Sequence, residues 1–431
     1  MSTTGSAKGA AAREPQLHRL SNGLTLVFEP QPWLETLSLT LLVPFGSATD
    51  PDGAEGSANV LHNWLQRGAG GLGSRELSER LDDLGVIRGG GSGREATTLS
   101  AAFLAADLAA ALPLVASMAT TPALADDEFE GAREAAIEEL KALQDSPADL
   151  LSEALNQHFF TSPHRRSAVG SMESLEALTP ESLRQDAATR LGPQGSILAV
   201  AGGTDFERLV ATVEEVFGDW RGATKSLPQP EISAPQRHHV EADSNQVQIG
   251  LAYPGFVPGT PAAYRNSLAL AVLSGSAGAR LHTEVREKRG LVYSVSASSR
   301  SLKGFGYVVG YAGTTPERAH ETLAVYLSEL VRLQDGVSAD EFERAKVGLL
   351  SSLVMNGESS GATAGRLASD TFTIGRPRTL AEISGTVAAI THDDLNAFLA
   401  DLPTVRPTIV TLGPKLKDPE AASYEAEAVA S

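Results

Sequence analysis

For metal or nucleophilic chemistry the chain offers nine histidines and no cysteine. Without thiols there are no disulfides and no thiolate ligands, so a metal site must be built from imidazoles and carboxylates. Two histidines four apart on a helix share a face and can grip one ion. Outside His62, the residues His18, His158, His164, His238, His239, His282, His320 and His392 supply no such pair. His238 and His239 are adjacent and point to opposite faces of a strand. The run Gly89-Gly90-Gly91-Ser92-Gly93 lacks the Lys-Ser/Thr and helix start of a phosphate cradle, and reads as a turn before a strand at 96–103. Ser359-Ser360-Gly361 has no nucleophile context. The stretch 281–295, LHTEVREKRGLVYSV, sets Arg286 and Tyr293 seven positions apart. A helix ending at Gly290, followed by an alternating strand from 291, lets the two converge from different elements. Glu284, Arg286, Glu287, Lys288 and Arg289 are also what a solvated helix end looks like, with cations suiting its C-terminal dipole.

The elements that must carry these residues occur twice. Asp127-Glu128-Phe129-Glu130-Gly131-Ala132-Arg133 returns as Asp340-Glu341-Phe342-Glu343-Arg344-Ala345-Lys346, an offset of 213. At an offset of 212, Thr179-Pro180-Glu181-Ser182-Leu183 is echoed by Thr391-His392-Asp393-Asp394-Leu395, and the apolar run from Ser196 by the one from Thr408. Three matches in order at a near-constant offset imply a tandem duplication, with a period far too long for a solenoid. The expected division is a first domain at 15–225, a Pro-rich linker at 226–238, a homologous second domain at 239–415, and an acidic, alanine-rich tail at 416–431.

Within each half the pattern runs strands first, then helices. Asn22-Gly23 predicts a hairpin turn, 37–41 a strand, and 57–67 a helix before a Gly-rich loop. Asp127 with Glu130 predicts a capped start to a helix reaching about 144, and Ser338 with Glu341 the start of its twin. Pro316 predicts another helix start, where its missing N–H is harmless. Gly275-Ser276-Ala277-Gly278 predicts a tight passage before the Arg286 helix. The fold class is α+β: two homologous domains, each a mostly antiparallel sheet covered by helices.

Composition narrows the function. The chain has 431 residues, 42% of them hydrophobic and 20% charged, which is globular. A net charge of -18 argues against nucleic acid. The apolar runs are too short to span a bilayer, and Met1 to Glu14 has no apolar core for a signal. A cytoplasmic location is the expectation.

On residues 56–68, GSANVLHNWLQRG, and on 281–295, the chain resembles the pitrilysin and mitochondrial-processing-peptidase family of inverted zincins, from Leu17 to Gly413. Active members carry His-x-x-Glu-His on the first long helix: two ligands on one face, a Glu that activates the metal-bound water, and a third, glutamate ligand from a later helix. Asn59 stands at the first His, His62 at the catalytic Glu and Asn63 at the second His. Glu139, 76 residues beyond Asn63, matches the third ligand. The resemblance implies a processing-peptidase-like fold in which this chain binds no metal and zinc belongs to a homologous partner with an intact motif. It implies that Arg286 and Tyr293 project across a chamber toward that partner, as the catalytic residues this subunit supplies to unfolded peptide substrates. Two alternatives stay open: a non-catalytic scaffold of the same family, and a homodimeric peptidase with a non-standard metal site.

Overall fold

The computed structural model describes residues 14–415. The stretch before Glu14 and the tail assigned to 416–431 lie outside the described residues.

Two sheets form the framework. The first holds β1 (Gln16–Arg19), β2 (Thr25–Pro30), β3 (Thr36–Val43), β4 (Ile87–Ser92), β5 (Thr97–Leu104) and β6 (Ile197–Gly202), in the order β1-β2-β6-β3-β5-β4. The second holds β7 (Arg237–Glu241), β8 (Val247–Pro254), β9 (Val292–Leu302), β10 (Phe305–Thr314) and β11 (Thr408–Gly413), in the order β7-β11-β8-β10-β9. Without β1 the two orders coincide. Each sheet has one parallel pair, β2 with β6 and β7 with β11, and is otherwise antiparallel. The duplication read from the sequence is thus a duplication of topology. β6 and β11, central in their sheets, are buried at every position, which is why both read as continuous apolar runs.

The hairpin from β1 to β2 turns at Gly23, with φ of +98°, and the Asn22 side chain accepts from Leu24 N. Residues 89–92, expected as a turn, are instead part of β4, paired with β5 at the sheet edge. Gly90 explains the misreading: its φ is +131°, and a Cβ there would lie 2.1 Å from the Thr98 carbonyl oxygen, so only glycine lets the edge strand close. No helix among the described residues is long and apolar enough to cross a membrane.

The halves are joined by exchanged helices. Helix Pro147–Phe159, from the first half, packs Leu151, Leu155 and Phe159 against Ala252, Tyr307, Val410 and Leu412 of the second sheet. Its twin Ser360–Ile374 packs Leu367, Ala368 and Phe372 against Val27, Leu42, Ile197 and Ala199 of the first. Polar pins reinforce the exchange: Arg366 with the buried Glu29 at 2.7 Å, and Ser360 with Ser38 at 2.9 Å.

The two long repeated helices start differently. Helix Ala339–Asn356 has the expected capping box, with Ser338 Oγ accepting from Glu341 N and the Glu341 carboxylate accepting from Ser338 N. Helix Asp126–Gln144 does not: Ala125 occupies the cap position, and Asp127 lies inside the first turn, where its oxygen cannot reach back over the free N–H groups. Ser338→Ala is therefore expected to lower stability by about 1 kcal/mol. Asp127→Ala should lower it by no more than about 0.5 kcal/mol, the dipole contribution alone. Urea denaturation of the two variants separates the cases.

Candidate functional site

The helix Ser57–Leu65 carries Asn59, His62 and Asn63, the positions expected to correspond to the zinc motif, and buried charge fixes its start. Asp50 accepts from Gly56 N (2.7 Å), Ala58 N (3.1 Å) and Ser57 Oγ (3.0 Å), so its carboxylate sits on the positive end of the helix. Arg190, fully buried, holds Asp50 at 2.9 Å and Asp186 at 2.7 Å. Gly56 has φ of +91°, and a Cβ there would meet Gly170 Cα at 2.9 Å. Val60, Leu61 and Trp64 face the core, and Trp64 meets Phe129 of helix Asp126–Gln144 edge-on at 5.1 Å. That anchoring turns Asn59, at the 3.6-residue spacing from His62 and Asn63, toward the second helix.

Asn59 Nδ2 donates to Glu139 Oε2 at 2.7 Å. Residues 80 apart in sequence thus meet where a metal would need two ligands. His62 is 5% exposed, and the Gln66 amide donates to its Nε2 at 3.1 Å. Burial pushes the His62 pKa below the usual histidine value, and the Glu139 carboxylate opposes this in part. Its Nδ1 and the Asn63 amide nitrogen are buried with no hydrogen-bond partner.

This set does not fit zinc. An amide nitrogen has no free lone pair and an amide oxygen no charge, which leaves one imidazole and one carboxylate where three protein ligands are the usual catalytic minimum. Among the described residues no group of three or more His, Cys, Asp or Glu side chains is placed to hold a metal ion.

Arg286 and Tyr293 lie in the second half. Arg286 is on a π-helical turn, His282–Glu287, and Gly290, with φ of +62°, turns the chain into β9 at the sheet edge. Tyr293 is 68% exposed near the start of that strand. The two stand on successive elements, as expected from sequence, and both face solvent, without a hydrogen bond between them. The surrounding charges are not equivalent. Lys288 (2.7 Å) and Arg289 (2.8 Å) both bind Glu284, holding its pKa down at about 2. Arg286 has no carboxylate partner among the described residues; its Nη1 donates to His282 Nε2 at 3.4 Å. The solvated-helix-end account therefore covers Lys288 and Arg289 and leaves Arg286 uncommitted.

Several contributors were invisible in the sequence. Gln66 had a local signal, the four-residue spacing to His62. Asp50 and Arg190 had none, since they meet across 140 residues. His158 and His238, which form no pair by spacing, stack with ring centroids 4.0 Å apart where the exchanged helix meets β7.

Comparison with known proteins gives a consistent result. Residues 26–170 match the family profile described as insulinase (peptidase family M16), and residues 177–349 the one described as peptidase M16 inactive domain. An uncharacterized zinc protease of Streptomyces coelicolor is 27% identical over 414 residues, covering 93% of this chain and 90% of that protein. The uncharacterized zinc protease YmxG of Bacillus subtilis is 25% identical over 399 residues, covering 91% and 97%. A crystal structure of a peptidase M16 inactive domain from Pseudomonas fluorescens has a TM-score of 0.84 at 22% identity, covering 93% of this chain and 98% of that one. A chain of Complex III2 from Candida albicans has a TM-score of 0.81 at 20% identity, covering 92% and 95%. At these identities the solved structures bear on the fold alone.

Proposed function

The chain belongs to peptidase family M16, and from that premise we propose that it is a subunit without a zinc site that completes the active site of a zinc-bearing homologue. The observation that carries the reading is an asymmetry between the halves. The first half has replaced its metal positions with a closed Asn59–Glu139 hydrogen bond. The second half still presents an exposed Arg286 with no carboxylate partner among the described residues, and an exposed Tyr293. In this reading a partner with an intact His-x-x-Glu-His brings the metal. Tyr293 donates its O–H to the developing oxyanion, and Arg286 donates to a substrate carbonyl. Unfolded peptides are the substrates, paired by their backbones to an open sheet edge; the outer strands of the two sheets are β1 and β4, and β7 and β9. A cytoplasmic location is part of the same proposal.

Reconstitution with a homologous chain carrying the intact motif tests it, with hydrolysis of an unfolded fluorogenic peptide as readout. Arg286→Ala and Tyr293→Phe are each expected to lower kcat by about 10²–10³. Zinc-dependent cleavage by this chain alone, or full activity of the pair with Arg286→Ala, overturns the proposal.

A second reading, a non-catalytic scaffold of the same family, is equally consistent with the lack of a metal-holding group among the described residues. A scaffold would co-purify with its partner and show no dependence of peptidase activity on Arg286.

A further inference from the structure

Helix Ala339–Asn356 repeats helix Asp126–Gln144 in its place in the fold but not in its outward face. In the first half that face is charged: Glu134, Glu138 and Lys141 are all exposed, and Lys141 binds Glu138 at 2.7 Å. The offset of 213 puts Val347, Ser351 and Val354 at the same places in the second half. Val347 is 60% exposed, Val354 56% and Met355 65%, and no charged residue lies between Lys346 and Glu358. Single exposed apolar side chains are ordinary, whereas three on neighbouring turns of one helix mark a contact surface. The stripe also has an internal symmetry. Arg344, Val347, Ser351, Val354 and Glu358 follow in alternating steps of three and four, the spacing of one seam along a helix. The backbone stays right-handed through Gly357, with φ of −71° and ψ of −12°, so Glu358 extends the seam past the last helical residue. Turned end over end about Ser351, the seam meets itself: Arg344 comes opposite Glu358, Val347 opposite Met355, and Val354 opposite the small Gly348. Arg344 and Glu358 are exposed, and neither side chain has an ion-pair partner among the described residues.

We propose that this stripe is a contact between two copies of the chain, packed as an antiparallel helix pair about a two-fold axis at Ser351. Self-complementarity is what such an interface requires, because the same patch supplies both sides. Charge fixes the direction. Antiparallel packing places Arg344 of each copy against Glu358 of the other, while parallel packing sets like charges together at both ends. Burial of Val347, Val354 and Met355 supplies the attraction, and Gly348 and Ser351 are small enough to let the backbones approach. Arg286 and Tyr293 lie outside the stripe, so the contact goes beyond the composite-site reading and does not depend on it.

The test is sedimentation velocity on the purified full-length chain over a range of concentrations. One helix per chain makes a small interface, below about 1,200 Å² in total, so a reversible dimer with Kd on the order of 10 µM is expected. Val354→Glu should raise Kd about tenfold or more, and Lys141→Glu on the first-half twin should leave it unchanged. Arg344→Glu and Glu358→Arg are each expected to weaken the dimer, since either one places like charges together twice. An equimolar mixture of those two variants should associate as well as the unsubstituted chain, because opposite charges then face each other again in exchanged positions. All these sites are exposed, and thermal unfolding checks that each variant is folded. A chain that stays monomeric at about 100 µM overturns the proposal. So does a Kd unmoved by Val354→Glu, or a mixture that associates no better than its components.

Discussion

Asn59→His, His62→Glu and Asn63→His introduced together are expected to give a chain that retains about one zinc ion through dialysis, while the unsubstituted chain retains none. The argument is geometric. Helix Ser57–Leu65 is held at its start by Asp50 and along its length by Trp64 against Phe129, and none of these contacts involves the three substituted side chains. Positions 59 and 63 are one turn apart on the face that meets helix Asp126–Gln144, and Glu139 already lies 2.7 Å from the position-59 side chain. Ligand atoms on a tetrahedral zinc stand roughly 3.3 Å apart. Glu139, being exposed, has to withdraw by only a fraction of an ångström. Two imidazoles and a carboxylate would then surround one point, with the new carboxylate at 62 beside it. Elemental analysis after dialysis is the measurement, and acidification should release the ion as the imidazoles protonate. A folded triple variant that retains no zinc would show that the helices have drifted from metal-binding geometry, so that the loss involves more than three side chains.

The same geometry shows what the sequence discloses and what it withholds. Repeated strings fix the existence of two similar halves, because a duplicated fold keeps its apolar runs and capping residues in register. Those strings do not say which sheet a helix covers. The stripe Leu151, Leu155, Phe159 announces a buried face, but its burial against Val410 and Leu412, more than 250 residues away, is a tertiary fact. Strand order is withheld for the same reason. Asn59 and Glu139 were legible only through the resemblance to the zinc motif, and they do meet. Arg286 and Tyr293 were legible as a string, whereas the difference between Arg286 and its basic neighbours became visible only when Lys288 and Arg289 were found on Glu284. The errors were local. Asp127 with Glu130 predicts a cap, yet Asp127 lies inside the first turn; residues 89–93 predict a turn, yet the φ of Gly90 closes an edge strand. In both cases a propensity was overruled by a position that only backbone geometry defines.

Arg190→Met is expected to destabilise the first half by about 3–5 kcal/mol, the usual consequence of removing one member of a buried ion pair. Methionine approximates the volume of the arginine stem, so the loss isolates charge and hydrogen bonding from packing. Arg190 and Asp50 are both fully buried. Burial pushes the Asp50 carboxyl above its ordinary pKa, and Arg190 is the main force opposing that rise. Without the cation the folded-state pKa climbs further, and a carboxyl raised in the folded state favours folding at pH below its unfolded value and loses that contribution as pH rises through the folded value. The variant should therefore be most impaired at neutral pH and recover part of its deficit on acidification, when a neutral Asp50 can be buried without its partner. Trp33, Trp64 and Trp220 all belong to the first half, so tryptophan fluorescence in urea reports its transition selectively. A loss below about 1 kcal/mol, or a deficit that grows as the pH falls, would contradict the assignment of Asp50 and Arg190 as the charged anchor of the site-bearing helix.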